Sequence, residues 1–471
     1  MTDHPNVVPM PGKPALLLGG YDVAELGYVA EEFSISGTAS CYAPETELSS
    51  DGRWSVQPSG AADFTTRVVV LTPADRSAFN GTVLVEWLNV SGGIDAPAVW
   101  MMAHREIVRS GYAYVAVSAQ QVGIEGGANL MDLDMSLKSQ DPARYASLHH
   151  PGDAFCYDIF SRVGRLFKDG QHPELLGGLS PKNVVALGES QSALFLTTYV
   201  NAIDPLASVY DAFLVHSRFG AAAALDGKSI FEESQIGTST AVAFRRDMRV
   251  PLVTLITETD LFSPLMGYHL ARQPDNERLR VWEVAGTAHA DNYTIQVAAI
   301  DTGSAALDDI VAAYAPTNTL LGQQLGYCIN FAPQHHYVLQ AALSALCRWV
   351  ETGQPPPSAD PIESSATDPP QPVTDANGLA QGGVRTPWVD VPIARTSGIG
   401  SEETAMSAIF GSGEPFDAAT LRSLYPGGAT DYLQRFTAAL DSAIQAGFIL
   451  PADREEILKI AEVMYSQLQP N

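Results

Sequence analysis

The sequence predicts an α/β protein: a mostly parallel central sheet, antiparallel strands at its N-terminal side, helices on both faces and a helical C-terminal extension. Three observations predict it. The runs "YAYVAVSAQ", "NVVALGES", "YDAFLVHSR", "PLVTLITETD" and "LRVWEVAGTAH" are short and almost continuously apolar, which suits strands buried on both faces of a parallel sheet. Helix-like stretches alternate with the earlier of these runs. After about His289 the strand-like runs stop and helical ones take over.

The elements follow in order. "TTRVVVLTP" and "GTVLVEWLNV" are β-rich and joined by "ADRSAFNG", whose Asn80-Gly81 marks a turn, so they read as an antiparallel pair. "APAVWMMAHREIVRSG" reads as a helix ended by Gly111. After "YAYVAVSAQ" the stretch 121–152 is polar and irregular, an insertion. In "DAFCYDIFSRVGRLFKDG", Phe155, Ile159, Val163 and Phe167 recur every four residues and Gly170 follows, a helix with its stop. "NVVALGES" and "QSALFLTTYVNAI" are strand and helix. A second insertion is expected at 219–248. "PQHHYVLQAALSALCRWVETG" is helical, and residues 351–385, rich in Pro, Ser and Asp, are a linker or long surface loop. Helical runs fill most of 386–471. Residues 1–350 are thus expected to form the core and 386–471 an extension packed on it.

The chain has 471 residues, 46% hydrophobic and 17% charged, which is enough for a large core. The formal net charge is −26 and no Lys/Arg-rich run occurs. Such a surface repels phosphate backbones and anionic lipid, so neither nucleic acid nor a membrane is an expected partner. The N-terminal "MTDHPNVVPMPGKPALLLGG" lacks the basic and apolar regions of a secretory signal, and no apolar run is long enough to span a bilayer; a cytoplasmic location is expected. Cys41, Cys156, Cys328 and Cys347 lie far apart without metal-ligand spacing, and the adjacent pairs His149-His150 and His335-His336 diverge on any regular element. No metal and no cofactor is expected, and neither a GxGxxG after a strand nor a P-loop is present. No motif here encodes oligomeric state or acyl-chain preference.

Chemistry concentrates at three predicted strand ends, where open α/β sheets bind their ligands. Ser190 follows the strand "VVALG" and precedes a helix, the setting a serine nucleophile needs. Gly188 leaves room two residues before it. Ser192 stands where G-x-S-x-G has its last glycine, and its hydroxyl can cap the helix. A serine hydroxyl needs a base within reach, and the base needs an orienting group. "LITETDLFSP" offers Asp260, with Glu258 as the alternative acid; if the strand reaches that far, the two share a face. "WEVAGTAHADNY" offers His289 on a short loop of small residues. The order Ser, acid, His differs from that of chymotrypsin- and subtilisin-like enzymes. The backbone N–H of Gln191 and that of Val90, in the glycine-bearing loop "VEWLNVSGG", are the expected donors to an oxyanion. Asn89, Ser91, Glu189, His216 and Arg218 are expected to line the substrate pocket.

With these residues in place the sequence resembles the α/β-hydrolase superfamily, and within it the bacterial "alpha/beta hydrolase domain" proteins that carry G-E-S-Q-S. The resemblance rests on "VEWLNVSGG", "HPGDAFCYDIFSR", "ALGESQSALFLTTYVNAIDPLASVYDAFLVHSR", "TETD", "ARQPDNERLRVWEVAGTAHAD" and "GGVRTPWVDVPIA", with "GYVAEEFSISGTA" and "PFDAATLRSLYP" at the two ends. It implies the α/β-hydrolase fold and a serine hydrolase, and both Glu258 and Asp260 belong to the familial block. The expectation is a carboxylic ester hydrolase acting on a small-molecule ester through an acyl-enzyme. Two rivals are an acyltransferase using the same acyl-enzyme and a non-catalytic binding protein on this fold.

Overall fold

The computed structural model describes residues 5–230, 240–320, 322–400 and 405–468. In chain order the sheet strands are β1 (Asn6–Pro9), β2 (Tyr28–Pro44), β3 (Val56–Pro73), β4 (Thr82–Trp87), β5 (Ala113–Val117), β6 (Asn183–Glu189), β7 (Ala212–His216), β8 (Leu252–Thr257) and β9 (Leu279–Val284). The principal helices are α1 (Ala98–Arg109), α2 (Cys156–Lys168), α3 (Gln191–Thr198), α4 (Glu258–Phe262), α5 (Gln334–Thr352), α6 (Gly428–Ala446) and α7 (Arg454–Gln467).

The strands form one sheet in the order β1-β2-β3-β5-β4-β6-β7-β8-β9. Pairings from β1 to β5 along this order are antiparallel, and those from β5 to β9 are parallel. Successive side chains point to opposite faces. On β4, Leu84 joins the apolar cluster that includes Trp100 and Ile107 of α1, Leu339 and Leu343 of α5 and Phe436 and Ile460 of α6 and α7. Val83 and Val85 join the opposite cluster, with Phe160 of α2 and Phe195 of α3. Every residue of β5, β7 and β8 is buried, which is why those runs read as continuously apolar, and every residue of β4, Glu86 included, is buried as well.

The expected pairing of "TTRVVVLTP" with "GTVLVEWLNV" is wrong. β5 lies between them, antiparallel to β3 and parallel to β4. The connection does not turn back as a hairpin but docks on the end of α1: Asn80 N–H donates to Gly111 O (3.0 Å) and its side-chain amide to Ser110 O (2.8 Å). Gly111 has φ +70°, and a Cβ there would lie 1.9 Å from Ala78 O. The partner of β3 is instead β2; the two form a long hairpin with an irregularity at Cys41/Tyr42.

The 121–152 stretch holds short helical turns at Gln121–Glu125 and Leu137–Gln140 and folds onto this hairpin. Arg67 of β3 is fully buried there. Its guanidinium donates to Glu32 (3.4 Å), Asp95 (2.7 Å), Ser118 Oγ (2.9 Å) and Ala15 O (2.8 Å), tying β2, the loop after β4 and the end of β5 together. Arg67→Met leaves Glu32 and Asp95 with less compensation in a dry site. It is expected to cost about 3–5 kcal/mol of unfolding free energy. Urea unfolding checks this, and a change within about 0.5 kcal/mol, as at a surface site, would contradict it.

Residues 231–239 of the expected 219–248 insertion lie outside the described residues. The Pro-rich stretch is not slack: Val384 N–H donates to Glu283 O (2.7 Å) and Val384 O accepts from Ala285 (3.1 Å), a parallel bridge along the outer edge of β9. An uncovered edge strand would offer unpaired backbone groups to another chain. Beyond it, Ala394–Ser397 pairs with Ser412–Pro415, and α6 and α7 pack on the α1/α5 face. Arg109 pairs with Asp453 and Arg105 with Glu456, linking α1 to the C-terminal helices. Among the described residues no helix is long and apolar enough to cross a membrane.

The chain runs from β4 through α1 to β5 on one side of β4, then returns to β6 on the other. The loops leaving β4 and β6 therefore part to opposite faces and open a crevice at the carboxyl ends of the strands.

Candidate active site

β6 ends in Gly188-Glu189, and α3 begins at Gln191. Ser190 between them has φ +57° and ψ −117°, a conformation costly for any residue with a side chain. A Cβ on Gly188 would lie 2.8 Å from Leu196 Cδ1 and 3.2 Å from Ser192 O, so only glycine lets α3 pack this close to β6. Ser192 does not cap the helix as expected. Its hydroxyl closes the turn, accepting from Glu189 N–H and donating to Glu189 O, both at 2.9 Å. The turn is fixed to β7 by the Ser190 N–H, which donates to His216 O (3.0 Å).

Three side chains from three strand ends stand in line. His289 Nε2 is 2.8 Å from Ser190 Oγ, and His289 Nδ1 is 2.6 Å from Asp260 Oδ1. Asp260 is fully buried and His289 is 6% exposed, so the two interact with little solvent between them. Burial works against a charged imidazole. The Asp260 carboxylate, and after it Glu189, outweigh burial and hold the His289 pKa above its usual value.

The acids separate because the strand stops. β8 ends at Thr257, and 258–262 is a helical turn, so Glu258 and Asp260 do not share a strand face. Thr257 and Asp260 form a capping box: the Thr257 hydroxyl accepts from Asp260 N–H (3.2 Å), and Asp260 Oδ2 accepts from Thr257 N–H (2.7 Å). The T-x-x-D in "TETD" is the signal that announces it. Glu258 points away from His289. It accepts from Gly286 N–H (2.5 Å), Ser397 Oγ (2.8 Å) and Gly398 N–H (2.9 Å), and burial raises its pKa. Thr259 Oγ1 donates to Gly398 O (2.7 Å) and accepts from His289 N–H (3.1 Å). Asn330 and Gln334 donate to Gly286 O at 2.9 and 3.0 Å, further fixing the histidine loop. Sequence reading missed these supports, because they come from positions 28 to 140 residues away.

Glu258→Gln puts an NH₂ against an N–H or O–H donor in either orientation. It is expected to cost about 1–3 kcal/mol of stability. Chemical denaturation reads the loss, and an unchanged midpoint would remove Glu258 from this structural role.

Asn89 joins the loop after β4 to the turn at Ser190. Its side-chain N–H donates to Glu189 O (3.0 Å) and Glu189 Oε2 (3.4 Å), and its oxygen accepts from Ser91 N–H (2.8 Å) and Ser91 Oγ (2.6 Å). Val90 N–H is not free: it donates to Gln191 Oε1 (3.2 Å). Gln191 Nε2 donates to Gln120, which also accepts from Trp87 Nε1. Glu189 is packed between Asn89 and His289, and burial lifts its pKa to about 7.

His216 and Arg218, expected at the pocket, are both fully or almost fully buried. His216 Nε2 meets His335 Nε2 at 2.8 Å. The Arg218 guanidinium turns onto the carbonyls of Phe219 and Val242 and lies 4.4 Å over the Phe244 ring. Among the described residues no three His, Cys, Asp or Glu side chains are grouped to hold a metal ion.

No curated protein matches the chain. Among solved structures it is similar to a glucuronoyl esterase from Solibacter usitatus, with 10% identity over 59% of this chain and 81% of that one, and a TM-score of 0.29. It is also similar to an esterase of Pyrococcus furiosus (9% identity, 57% and 87% covered, TM-score 0.31) and to fungal esterases from Rhizomucor miehei (9%, 68% and 85%, TM-score 0.29). The profile described as "Alpha/beta hydrolase domain" matches residues 4–459, nearly the whole length of the chain. With a mostly parallel sheet, antiparallel N-terminal strands and covering helices arranged as that fold requires, the chain belongs to the alpha/beta hydrolase domain family.

Proposed function

We propose that the protein is a serine hydrolase that cleaves carboxylic esters through an acyl-enzyme, with Ser190 as nucleophile, His289 as base and Asp260 as the orienting acid. The observation that carries this reading is the unbroken run from Asp260 Oδ1 to His289 Nδ1 (2.6 Å) and from His289 Nε2 to Ser190 Oγ (2.8 Å). With Nδ1–H donating to Asp260, Nε2 has a lone pair for the serine proton. As Ser190 Oγ bonds to the ester carbonyl, that proton passes to Nε2. The carbonyl oxygen takes the negative charge beside the Gln191 N–H at the positive end of α3. Val90 N–H is the second donor, exchanging its 3.2 Å bond to a neutral amide oxygen for a stronger one to an anion. The tetrahedral intermediate collapses with loss of the alcohol, which receives the proton from Nε2. Water then repeats the sequence on the acyl-enzyme, giving the acid and regenerating Ser190.

A fluorophosphonate reagent followed by peptide mapping tests the reading. One equivalent on the peptide carrying Ser190 is expected; absence of labelling would refute it. Product analysis with p-nitrophenyl esters of graded chain length, with and without an added alcohol or amine, separates hydrolysis from acyl transfer.

A further inference from the structure

The proposed mechanism uses one carboxylate, yet two face His289. Asp260 lies on the Nδ1 side. On the other side Glu189 Oε1 is 3.8 Å from Nε2, the atom that carries the moving proton. Glu189 is not there by accident of a flexible side chain. Its residue precedes Ser190 in the tight turn, the Ser192 hydroxyl grips its N–H and C=O, and Asn89 holds both its carbonyl and its Oε2. Its side chain is 13% exposed, between the loop after β4 and the histidine loop.

We propose that Glu189 is a second carboxylate of the site, a positioning residue that stabilises the imidazolium of His289 from its Nε2 side and selects esters without a negative charge near the reacting carbonyl. This rests on the serine hydrolase reading above. When Nε2 takes the serine proton, the ring becomes a cation between two carboxylates; opposite charge this near favours the charged form. Ser190 Oγ, to which the acyl carbon would bond, lies 2.8 Å from the same Nε2 that Glu189 faces at 3.8 Å, so an anionic acyl group would meet repulsion in a poorly solvated site.

Several groups face Glu189 from the surrounding elements. They are His289 and, behind it, Asp260 of α4; His335 of α5; Asn89 of the loop after β4; and the buried Glu86 of β4. Burial raises Glu189 to about 7 and Glu86 to about 8. Above about pH 7 Glu189 is ionised and helps keep His289 above its usual pKa. Removing the charge must lower the His289 pKa.

The test compares wild type, Glu189→Gln and Glu189→Asp. His289 is titrated by nuclear magnetic resonance of the imidazole, and kcat/KM is followed against pH for p-nitrophenyl acetate and for the p-nitrophenyl half-ester of succinic acid. In Glu189→Gln both the imidazole titration and the acid limb of kcat/KM are expected to move down by about one pH unit. The acetate-to-succinate preference at pH 8 is expected to narrow about tenfold. Glu189→Asp keeps the charge and is expected to keep the wild-type limb, which a purely space-filling role would not predict. If Glu189→Gln leaves the titration unmoved, the proposal is overturned; an unmoved ester preference overturns its substrate clause. Should Glu189→Gln fail to fold, loss of the wild-type limb in Glu189→Asp overturns it instead. The imidazole titration needs no turnover, so it reports on Glu189 even if neither ester proves to be a substrate and the hydrolase reading itself fails.

Discussion

Ser190→Ala is expected to lower kcat for ester hydrolysis by about 10⁴- to 10⁶-fold and to abolish labelling by a fluorophosphonate. The exchange removes one oxygen and nothing else. The Cβ that makes φ +57° costly remains, and the bonds that build the turn are made by the Ser190 and Glu189 backbones and the Ser192 hydroxyl. Thermal unfolding should therefore be unchanged within the range of neutral substitutions. Water can still be activated by His289 and the oxyanion donors still polarise a bound ester, so a trace of activity is expected to survive. Equal labelling of the variant and the native protein would end the nucleophile assignment.

Asp260→Asn carries the second large effect, about 10⁴-fold in kcat. The local bonding says why. Thr257 N–H donates to Asp260 Oδ2 at 2.7 Å, so an asparagine in this place turns its oxygen to that donor. Its NH₂ then faces His289 Nδ1, which must accept. The ring takes the opposite tautomer, with the proton on Nε2, and cannot receive the proton of Ser190. Glu258→Gln, which also neutralises a carboxylate, makes no such demand on the ring, because Glu258 bonds to Gly286, Ser397 and Gly398. Comparing kcat for the two variants with one p-nitrophenyl ester distinguishes the acids. A larger loss in the folded Glu258→Gln protein would reverse the assignment.

Much of this was legible because it is local. A strand buried on both faces leaves a continuous apolar run, and β5 to β8 show it. Gly188 is demanded by a near neighbour in the chain, Leu196, eight residues on in the same strand-turn-helix unit. What was illegible depends on chain that arrives later. The β3–β4 pairing failed because β5, more than 25 residues after β4, is the strand that fills the gap. "ETD" read as strand because the capping box that ends β8 is an alternative use of the same polar residues. Val90 N–H was expected as an oxyanion donor, and only the fold brings the Gln191 side chain to it. Val384 emerges from a Pro-rich stretch with no strand period, yet it covers the edge of β9.

The bonds of Glu258 to Ser397 and Gly398 also say when the centre can mature. A nascent chain of 350 residues already holds Ser190, Asp260 and His289. It would bury Glu258 with only the Gly286 N–H of its three donors, in the loop that must hold His289 still. Glu258 gains its other two donors only when Ser397 and Gly398 have left the ribosome and docked. A stalled or proteolytically trimmed product would carry Ser190, Asp260 and His289 with Glu258, beneath the histidine loop, short of two of its three donors.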